Sequence, residues 1–239
     1  MLKSLKKILK KILPAKVYNI FKKFTLKRVV YYKKSYSQEG EDMIIKRIFG
    51  GKKDGFYVDI GAYHPKRFSN TYLFYLQGWK GVNIDATPGS MDLFKKQRPR
   101  DINLEVAISD KKQVLTYYGF NEPALNSFSK KISYQRNEME NYKIVFEKKI
   151  QTYPLEKILD KNLPLNTKID FLSIDVESLD YQVLKSNNWQ KYRPQVVLIE
   201  YLRKSLKEII NSKITIFMQK RGYQLHAKTC NTIFFNKTD

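Results

Sequence analysis

Cysteine and histidine are nearly missing from this chain: Cys230 is its one thiol, and His64 and His226 are its two imidazoles, in 239 residues. A single thiol excludes an intramolecular disulfide and a cysteine-rich zinc site, and it suits a reducing cytoplasm. Two imidazoles cannot build a His-based metal centre unaided. Long apolar runs are missing too. No stretch reaches the ~20 residues that cross a bilayer, and no apolar region with a small-residue cleavage site follows the first lysines. Neither a transmembrane helix nor a secretory signal is expected. What remains, with 42% hydrophobic and 14% aromatic residues, is the composition of a folded globular protein.

Acid is missing from one end. Residues 1–34 carry twelve Lys and Arg and no Asp or Glu, so +12 of the formal charge of +22 sits there and +10 is spread over the other 205 residues. The chain is therefore read as a basic segment over 1–34 and a single domain over 35–239. In the segment, Leu2, Leu5, Ile8, Leu9, Ile12 and Leu13 recur at helical spacing. Lys3, Lys6, Lys7, Lys10 and Lys11 take the other side, and Pro14 stops the pattern. Such a helix is expected on an anionic membrane surface, leucines immersed and lysines on the head groups. It could instead pack on the domain with its lysines solvated. Nucleic acid is the weakest reading, because the stripe has no stacking aromatics. The expected location is cytoplasmic, peripheral at the inner face of the membrane.

From residue 37 onward, short apolar runs alternate with helical patterns, the order of an α/β sheet with crossover helices. Strands are expected over 56–60, 81–85, 102–108, 169–175 and 195–201. Shorter ones, over 114–118 and 149–153, bracket an irregular polar insert over 120–148. Helices are expected over 72–77 with Ser69 or Asn70 as cap, from Thr87-Pro88 through Phe94, over 179–187 and over 205–220. Two last strands, over 223–227 and 232–235, would close the sheet as an antiparallel hairpin.

In an open α/β sheet, ligands gather at the carboxyl ends of the strands. Asp59, Asp85 and Asp175 fall at three such ends. Gly61 lets the backbone approach a ligand closely. Asp85, 26 residues after Asp59, could accept both hydrogen bonds of a ribose diol. The G-x-G-x-x-G cradle for a pyrophosphate is missing: Ala62, Tyr63, His64, Pro65 and Lys66 follow Gly61. That disfavours a dinucleotide and leaves room for a nucleoside cofactor without phosphate. The plainer alternative makes Asp59 and Asp85 turn residues of βα loops.

The stretch FYVDIGAYHPKRFSNTYLFYLQGWKGVNID, followed in order by TPGSM, EVAIS, IDFLSIDVESLDYQVL and VVLIE, closely resembles the FkbM family of methyltransferases. The likeness covers about residues 37–201 and continues more loosely to the C-terminus. It implies S-adenosylmethionine as cofactor and a Rossmann-like class I methyltransferase fold. That fold is α/β, with helices on both faces of a mostly parallel seven-stranded sheet whose last strand is antiparallel. The resemblance further implies that Asp59 and Gly61 line the methionine part of the cofactor and Asp85 its ribose. Val106, Ala107 and Ile108 would border the adenine, and Asp175 and Glu177 would sit where donor meets substrate. Two departures stand out. The glycine-rich loop of many class I enzymes reads Ala62-Tyr63-His64-Pro65 here, and the family's I-D-V-E-G ends in Ser178.

Methyl transfer to an alcohol is an in-line displacement that needs the acceptor oxygen aligned and deprotonated. His64, with its near-neutral titration in the loop after the first strand, is one candidate base. Asp175 and Glu177 are the others, and a His64 that only braces its loop is the plain alternative. With Asp180 the same two acids could ligate a divalent cation. The helix dipole already accounts for an acid at Asp180, however, and no metal is expected. The insert, with Asn126, Ser127, Tyr134, Arg136 and Tyr142, could wall a sugar cleft or be a surface excursion. The resemblance implies O-methylation. Together with a membrane-seeking segment it points to sugar hydroxyls of cell-surface glycans or of their lipid-linked or nucleotide-linked precursors. An RNA methyltransferase and a catalytically silent membrane-bound protein on the same scaffold are the competing readings.

Overall fold

The computed structural model describes residues 12–18, 33–202 and 204–238. The amphipathic pattern over 2–13 lies outside them except for its last two residues. The chain forms two compact units, Met1–Lys34 and Ser35–Asp239, and every strand of the described residues belongs to the second. No described helix is long and apolar enough to cross a membrane.

The strands are β1 (Phe56–Ile60), β2 (Lys80–Asp85), β3 (Ile102–Glu105), β4 (Ala107–Ile108), β5 (Gln113–Phe120), β6 (Ile144–Tyr153), β7 (Phe171–Ile174), β8 (Val196–Glu200), β9 (Tyr223–Lys228) and β10 (Thr232–Lys237). The helices of the second unit are α1 (Glu41–Ile48), α2 (Tyr72–Leu76), α3 (Ser90–Gln97), α4 (Lys130–Asn137), α5 (Leu155–Asn162), α6 (Asp180–Ser186), α7 (Leu206–Ile210) and α8 (Lys213–Gln219). Seven strands make one sheet in the order β3-β2-β1-β7-β8-β10-β9. It is parallel except for β10, which runs against both β8 and β9. This is the expected sheet, reversed last strand included.

Strands covered on both faces read as unbroken apolar runs, and their alternate residues serve the two layers. Val58, Ile60, Leu172, Ile174, Val197 and Ile199 go to one face, where α5, α6 and α8 contribute Leu159, Leu184 and Met218. Tyr57, Phe171, Val196 and Leu198 go to the other, against Ile45 of α1, Phe74 of α2 and Trp79.

A charge is buried beside Tyr57. Arg98 has no exposed side-chain surface; its Nε donates to Asp101 Oδ2 at 2.8 Å and its Nη2 to the Tyr57 hydroxyl at 2.7 Å. Asp101 also accepts from the Tyr57 hydroxyl, the Gly81 N–H and the Asn83 amide. A buried charge persists only when paired and hydrogen-bonded. Here the partners come from β1 and β2, so the pair pins the strands that lead into the site.

Several expected elements are corrected. The run 102–108 is two strands in two sheets: β3 pairs with β2, and β4 pairs with β6 in a second sheet ordered β4-β6-β5. The chain changes sheet at Val106. The insert is regular, with β5 and β6 as long antiparallel strands and a 3-10 turn (Pro123–Leu125) and α4 between them. Thr87-Pro88 does not open a helix; Gly89, at φ 79°, turns the chain first, and α3 runs from Ser90 to Gln97. The cap of α2 is Thr71, although the Ser69 hydroxyl accepts the Tyr72 N–H at 3.0 Å. The helix over 205–220 breaks in two, because Ser212 caps a new one by accepting from the Thr215 N–H.

Candidate active site

The carboxyl ends of β1, β2, β7 and β8 open on a cavity of about 560 Å³ whose far wall is the segment between β5 and β6. Gly61, at φ 81°, turns the chain out of β1, and its N–H is held by the Ile84 carbonyl at 2.9 Å. A Cβ there would fall 1.6 Å from the Asp175 carbonyl oxygen, so only glycine fits.

Asp85 ends β2, is 7% exposed and lines the cavity. Its Oδ2 accepts from the Tyr63 N–H at 2.9 Å and its Oδ1 from the Thr87 N–H at 2.7 Å. The carboxylate thus ties the loop after β1 to the loop after β2, and each oxygen keeps a lone pair for a ligand. Burial pushes its pKa up against those hydrogen bonds. Val106 and Ile108 supply an apolar wall nearby. The Thr87 hydroxyl bonds to the Tyr117 hydroxyl at 2.7 Å and accepts from the Asn126 amide at 3.3 Å, which draws the insert over this end.

β7 and β8 are adjacent and parallel, with Ile174 opposite Ile199. Asp175 and Glu200, one residue further on, therefore emerge side by side. Their carboxylates and that of Glu177 each place an oxygen within 4.8 Å of the other two, and all three line the cavity. Burial, then repulsion by Glu200, Glu177 and Asp180, raises Asp175 well above the usual carboxylate range. Glu200 is pushed up to about 8 by burial and then by Glu177 and Asp180.

Burial raises Glu177 as well, against the Arg136 guanidinium, whose Nη2 lies 2.7 Å from Oε2. Arg136 comes from α4, and its Nη1 donates to the Leu125 carbonyl at 2.9 Å. The Ser127 hydroxyl donates to the Glu177 carbonyl at 2.8 Å. The insert is thereby strapped to the loop after β7. That loop is strained: Glu177 has φ 50° and Ser178 φ 104°, both in the left-handed region.

Of the residues singled out in the sequence, Gly61, Asp85, Val106, Ile108, Asp175 and Glu177 come together on this cavity. Asp59, His64 and Ala107 lie off it. Asp59 accepts from the Thr71 hydroxyl at 2.9 Å, and burial raises its pKa while Arg98 lowers it. His64 braces its own loop, its Nδ1 accepting from the Lys66 and Arg67 N–H groups at 3.0 and 2.9 Å. Burial, then Arg67 and Lys66, lowers its pKa. Ala107 is buried in β4.

Asp180 caps its own loop, accepting from the Val176 and Ser178 N–H groups at 3.1 and 3.2 Å, while burial raises it to about 6. Glu200 joins Asp175 and Glu177 in its stead, and these three could hold a hard divalent cation. Sequence reasoning does not single out Glu200. Its signal is an acid ending a buried apolar run, but that β8 lies beside β7 is knowable only from the strand order.

The strand order with its reversed β10, and a cavity over the carboxyl ends of β1, β2 and β7, are those of the class I methyltransferase fold. The profile of the family described as "Methyltransferase FkbM domain" matches residues 59–225. The chain belongs to that family, and its methyl donor is S-adenosylmethionine. No curated protein matches the chain in sequence.

Solved structures similar to it include a TehB-like SAM-dependent methyltransferase from Corynebacterium glutamicum, with 10% identity, a TM-score of 0.43, and coverage of 95% of this chain and 100% of that one. Another is 1,6-didemethyltoxoflavin-N1-methyltransferase from Burkholderia thailandensis with bound 1,6-didemethyltoxoflavin and S-adenosylhomocysteine. It shows 10% identity and a TM-score of 0.45, covering 92% of this chain and 86% of that one. A putative O-methyltransferase from Klebsiella pneumoniae shows 8% identity and a TM-score of 0.40, covering 98% and 95%.

Proposed function

We propose that the protein O-methylates a sugar hydroxyl of a cell-surface glycan, or of its lipid-linked or nucleotide-linked precursor, in the cavity over β1, β2, β7 and β8. The observation that carries this reading is the meeting of two chemistries on one cavity: Asp85 with Val106 and Ile108 at one end, and the Asp175 and Glu200 carboxyls at the other. The first end fits an adenosine, with lone pairs for a ribose diol and an apolar face for a base. The second offers negative charge to a sulfonium and a base to an alcohol.

S-adenosylmethionine, when bound, supplies an electrophilic methyl group. Asp85 accepts from the ribose hydroxyls, and Gly61 lets the backbone close on the methionine part. Asp175 takes the proton of the acceptor hydroxyl as the carbon–oxygen bond forms. Burial and the neighbouring acids raise its pKa, and a carboxylate with a raised pKa is a better base than a free one. We give this role to Asp175 rather than His64 because it lines the cavity. Arg136 opposes the rise that burial gives Glu177 and holds its carboxylate in place. Gln38, Glu41, Gln135, Asn231 and Thr232 add polar groups to the cavity wall, as a polyol acceptor requires. The basic segment over 1–34 would hold the enzyme at an anionic membrane, where lipid-linked sugars are presented.

The test is incubation with isotopically labelled donor and a panel of free, lipid-linked and nucleotide-linked sugars, with transfer RNA alongside. Label on a sugar oxygen is the expected result. Label only on nitrogen, or only on RNA, would overturn the reading.

A further inference from the structure

We propose that the end of the domain opposite the methyl-transfer cavity docks on an anionic phospholipid surface and seats a lipid headgroup in a second cavity there. The inference goes beyond the reaction proposed above and does not depend on the acceptor. It adds a contact of the domain itself to the attachment proposed for residues 1–34.

Every strand of the seven-stranded sheet but β10 runs the same way, so the residues ahead of β1, β2, β3, β7, β8 and β9 meet at one end, with the last of β10. Residues 49–55, 77–80, 98–101, 163–170, 187–195, 220–222 and 237–238 hold eleven Lys and Arg against three Asp. Arg98 with Asp101 and Lys52 with Asp170 pair off, which leaves nine cations against Asp54. α5 also borders this end, where Glu156 meets Asn188 and Asp160 meets Lys191, but Lys157 and Lys161 match its two acids.

Among the described residues, the cavity at the other end is lined by Glu41, Asp85, Asp175, Glu177 and Glu200 against a single cation, Arg136. The domain is thus polarised along its strands, and an anionic surface attracts the end away from that cavity. Helix dipoles favour cations where helices end, which accounts for Lys46 in the last turn of α1 and Lys220 after α8. Lys53, Lys80 and Lys168 lie in no helix, and the dipoles do not account for them.

The second cavity, of about 440 Å³, lies where α1 and α2 end. Phe49, Phe74 and Trp79 give it an apolar floor, and the exposed Lys46, Lys52 and Lys53 stand around it. Lys52 Nζ is 5.8 Å from the centre of the Trp79 ring. Ammonium groups beside an apolar floor fit a headgroup phosphate and the start of its acyl chains. Leu165 adds an anchor: it is 96% exposed, in a turn where the Thr167 N–H donates to the Pro164 carbonyl at 3.2 Å. Leu76, the last residue of α2, is exposed as well. Protruding leucines among cations suit a bilayer interface, which takes apolar side chains below its head groups. Nucleic acid is met by stacking aromatics. Among the described residues, no aromatic side chain of these loops is exposed.

A handful of lysines holds weakly, so this contact acts once residues 1–34 have brought the chain to the membrane, as the second half of a divalent attachment. The methyl-transfer cavity then opens to the aqueous side, and its acceptor sugar is one held clear of the bilayer. That consequence alone rests on the proposed function.

The experiment uses the full chain with Cys230→Ser and one new thiol, Leu165→Cys or Leu206→Cys, carrying a polarity-sensitive fluorophore. Leu206 opens α7 beyond β8, on the side of the methyl-transfer cavity, and is exposed. With vesicles of phosphatidylglycerol and phosphatidylcholine in equal parts, the label at 165 should shift to the blue and be quenched by nitroxide-bearing lipid. The label at 206 should stay in water. Lys53→Gln with Lys168→Gln and Lys220→Gln should weaken vesicle binding about tenfold or more. Lys66→Gln with Lys131→Gln and Lys204→Gln, an equal loss of charge at the other end, should weaken it about twofold or less. All six lysines are exposed, so folding is not at stake. A label at 165 that stays in water on bound chain, a blue shift at 206, or equal responses of the two triple variants overturns the inference and leaves the attachment of residues 1–34 standing. RNA binding in place of vesicle binding, lost in the first triple variant, assigns this end to nucleic acid and overturns it too. If the full chain binds no vesicles, both fall.

Discussion

Arg136 reaches from α4 to hold the Glu177 carboxylate at 2.7 Å, with each side chain only 14% exposed. The contact joins the insert between β5 and β6 to the strained loop after β7. Arg136→Ala would leave a largely buried carboxylate without its cation, and breaking such a pair from one side is costly. We expect a loss of about 2 kcal/mol at pH 7, measured by urea unfolding. Glu177 is already raised by burial, so without Arg136 it should protonate more readily, and the loss should shrink toward pH 5. Arg136→Ala as stable as wild type at pH 7 would break the account.

Ser178 stands where the family pattern has glycine, and its φ of 104° is a conformation that a Cβ resists. Ser178→Gly should therefore raise stability by about 1 kcal/mol, the strain relieved exceeding the entropy that glycine adds to the unfolded chain. Ser178→Ala keeps the Cβ and should give no such gain. Thermal unfolding of the two variants side by side decides the matter, and equal melting temperatures would count against strain at this position.

Glu200 predicts a pH dependence of stability with a definite sign. Its titration rises from about 4.3 in the unfolded chain to about 8 in the folded one, so the native state binds this proton more tightly. The stabilisation is full below about pH 4 and is lost as pH rises through about 8. Glu200→Gln carries no such loss. The melting temperature of the variant should gain on wild type between pH 5 and pH 8, and a constant gap across that range would refute the shift.

What could be read in the sequence, and what could not, follows from where the information resides. Parallel strands buried on both faces are continuous apolar runs, so 56–60 and 195–201 were legible as strands from composition alone. The run EVAI is equally apolar, yet the chain leaves one sheet for another at Val106, a break that no local pattern marks. Asp85 and Gly61 could be placed at the cavity because their positions depend on their own strand ends. The Asp175–Glu200 pairing depends on the register of two strands separated by a helix, and Arg136 on the folding of an insert. Neither leaves a trace in local spacing. His64 drew attention by residue type, whereas its Nδ1 is occupied by two backbone N–H groups of its own loop.

The proposed part of Asp85 in holding ribose makes a graded prediction. Asn in its place keeps the shape but sets an amide NH2 against either the Tyr63 or the Thr87 N–H, both of which now donate to it. We expect Asp85→Asn to weaken S-adenosylmethionine binding by about tenfold or more, and Asp85→Ala to abolish it. Both variants should retain the circular dichroism of a folded α/β protein. Wild-type affinity in folded Asp85→Ala would move the ribose elsewhere.

The basic segment can be tested by separating charge from apolar stripe. A chain lacking residues 1–34 should no longer sediment with vesicles containing phosphatidylglycerol, while still binding S-adenosylmethionine as the full chain does. Neutral phosphatidylcholine vesicles should bind neither protein, and added salt should weaken the anionic binding. Charge alone would also produce that result, so the sharper variant is Leu5→Asn with Leu9→Asn, which leaves every lysine in place. Attraction to phosphates, whether of lipid or RNA, survives that change, because it depends on the lysines. Immersion of an apolar face does not survive it. Loss of vesicle binding with RNA binding unaltered would therefore assign the segment to the membrane. Vesicle binding that persists in the double variant would show that the leucines have another purpose.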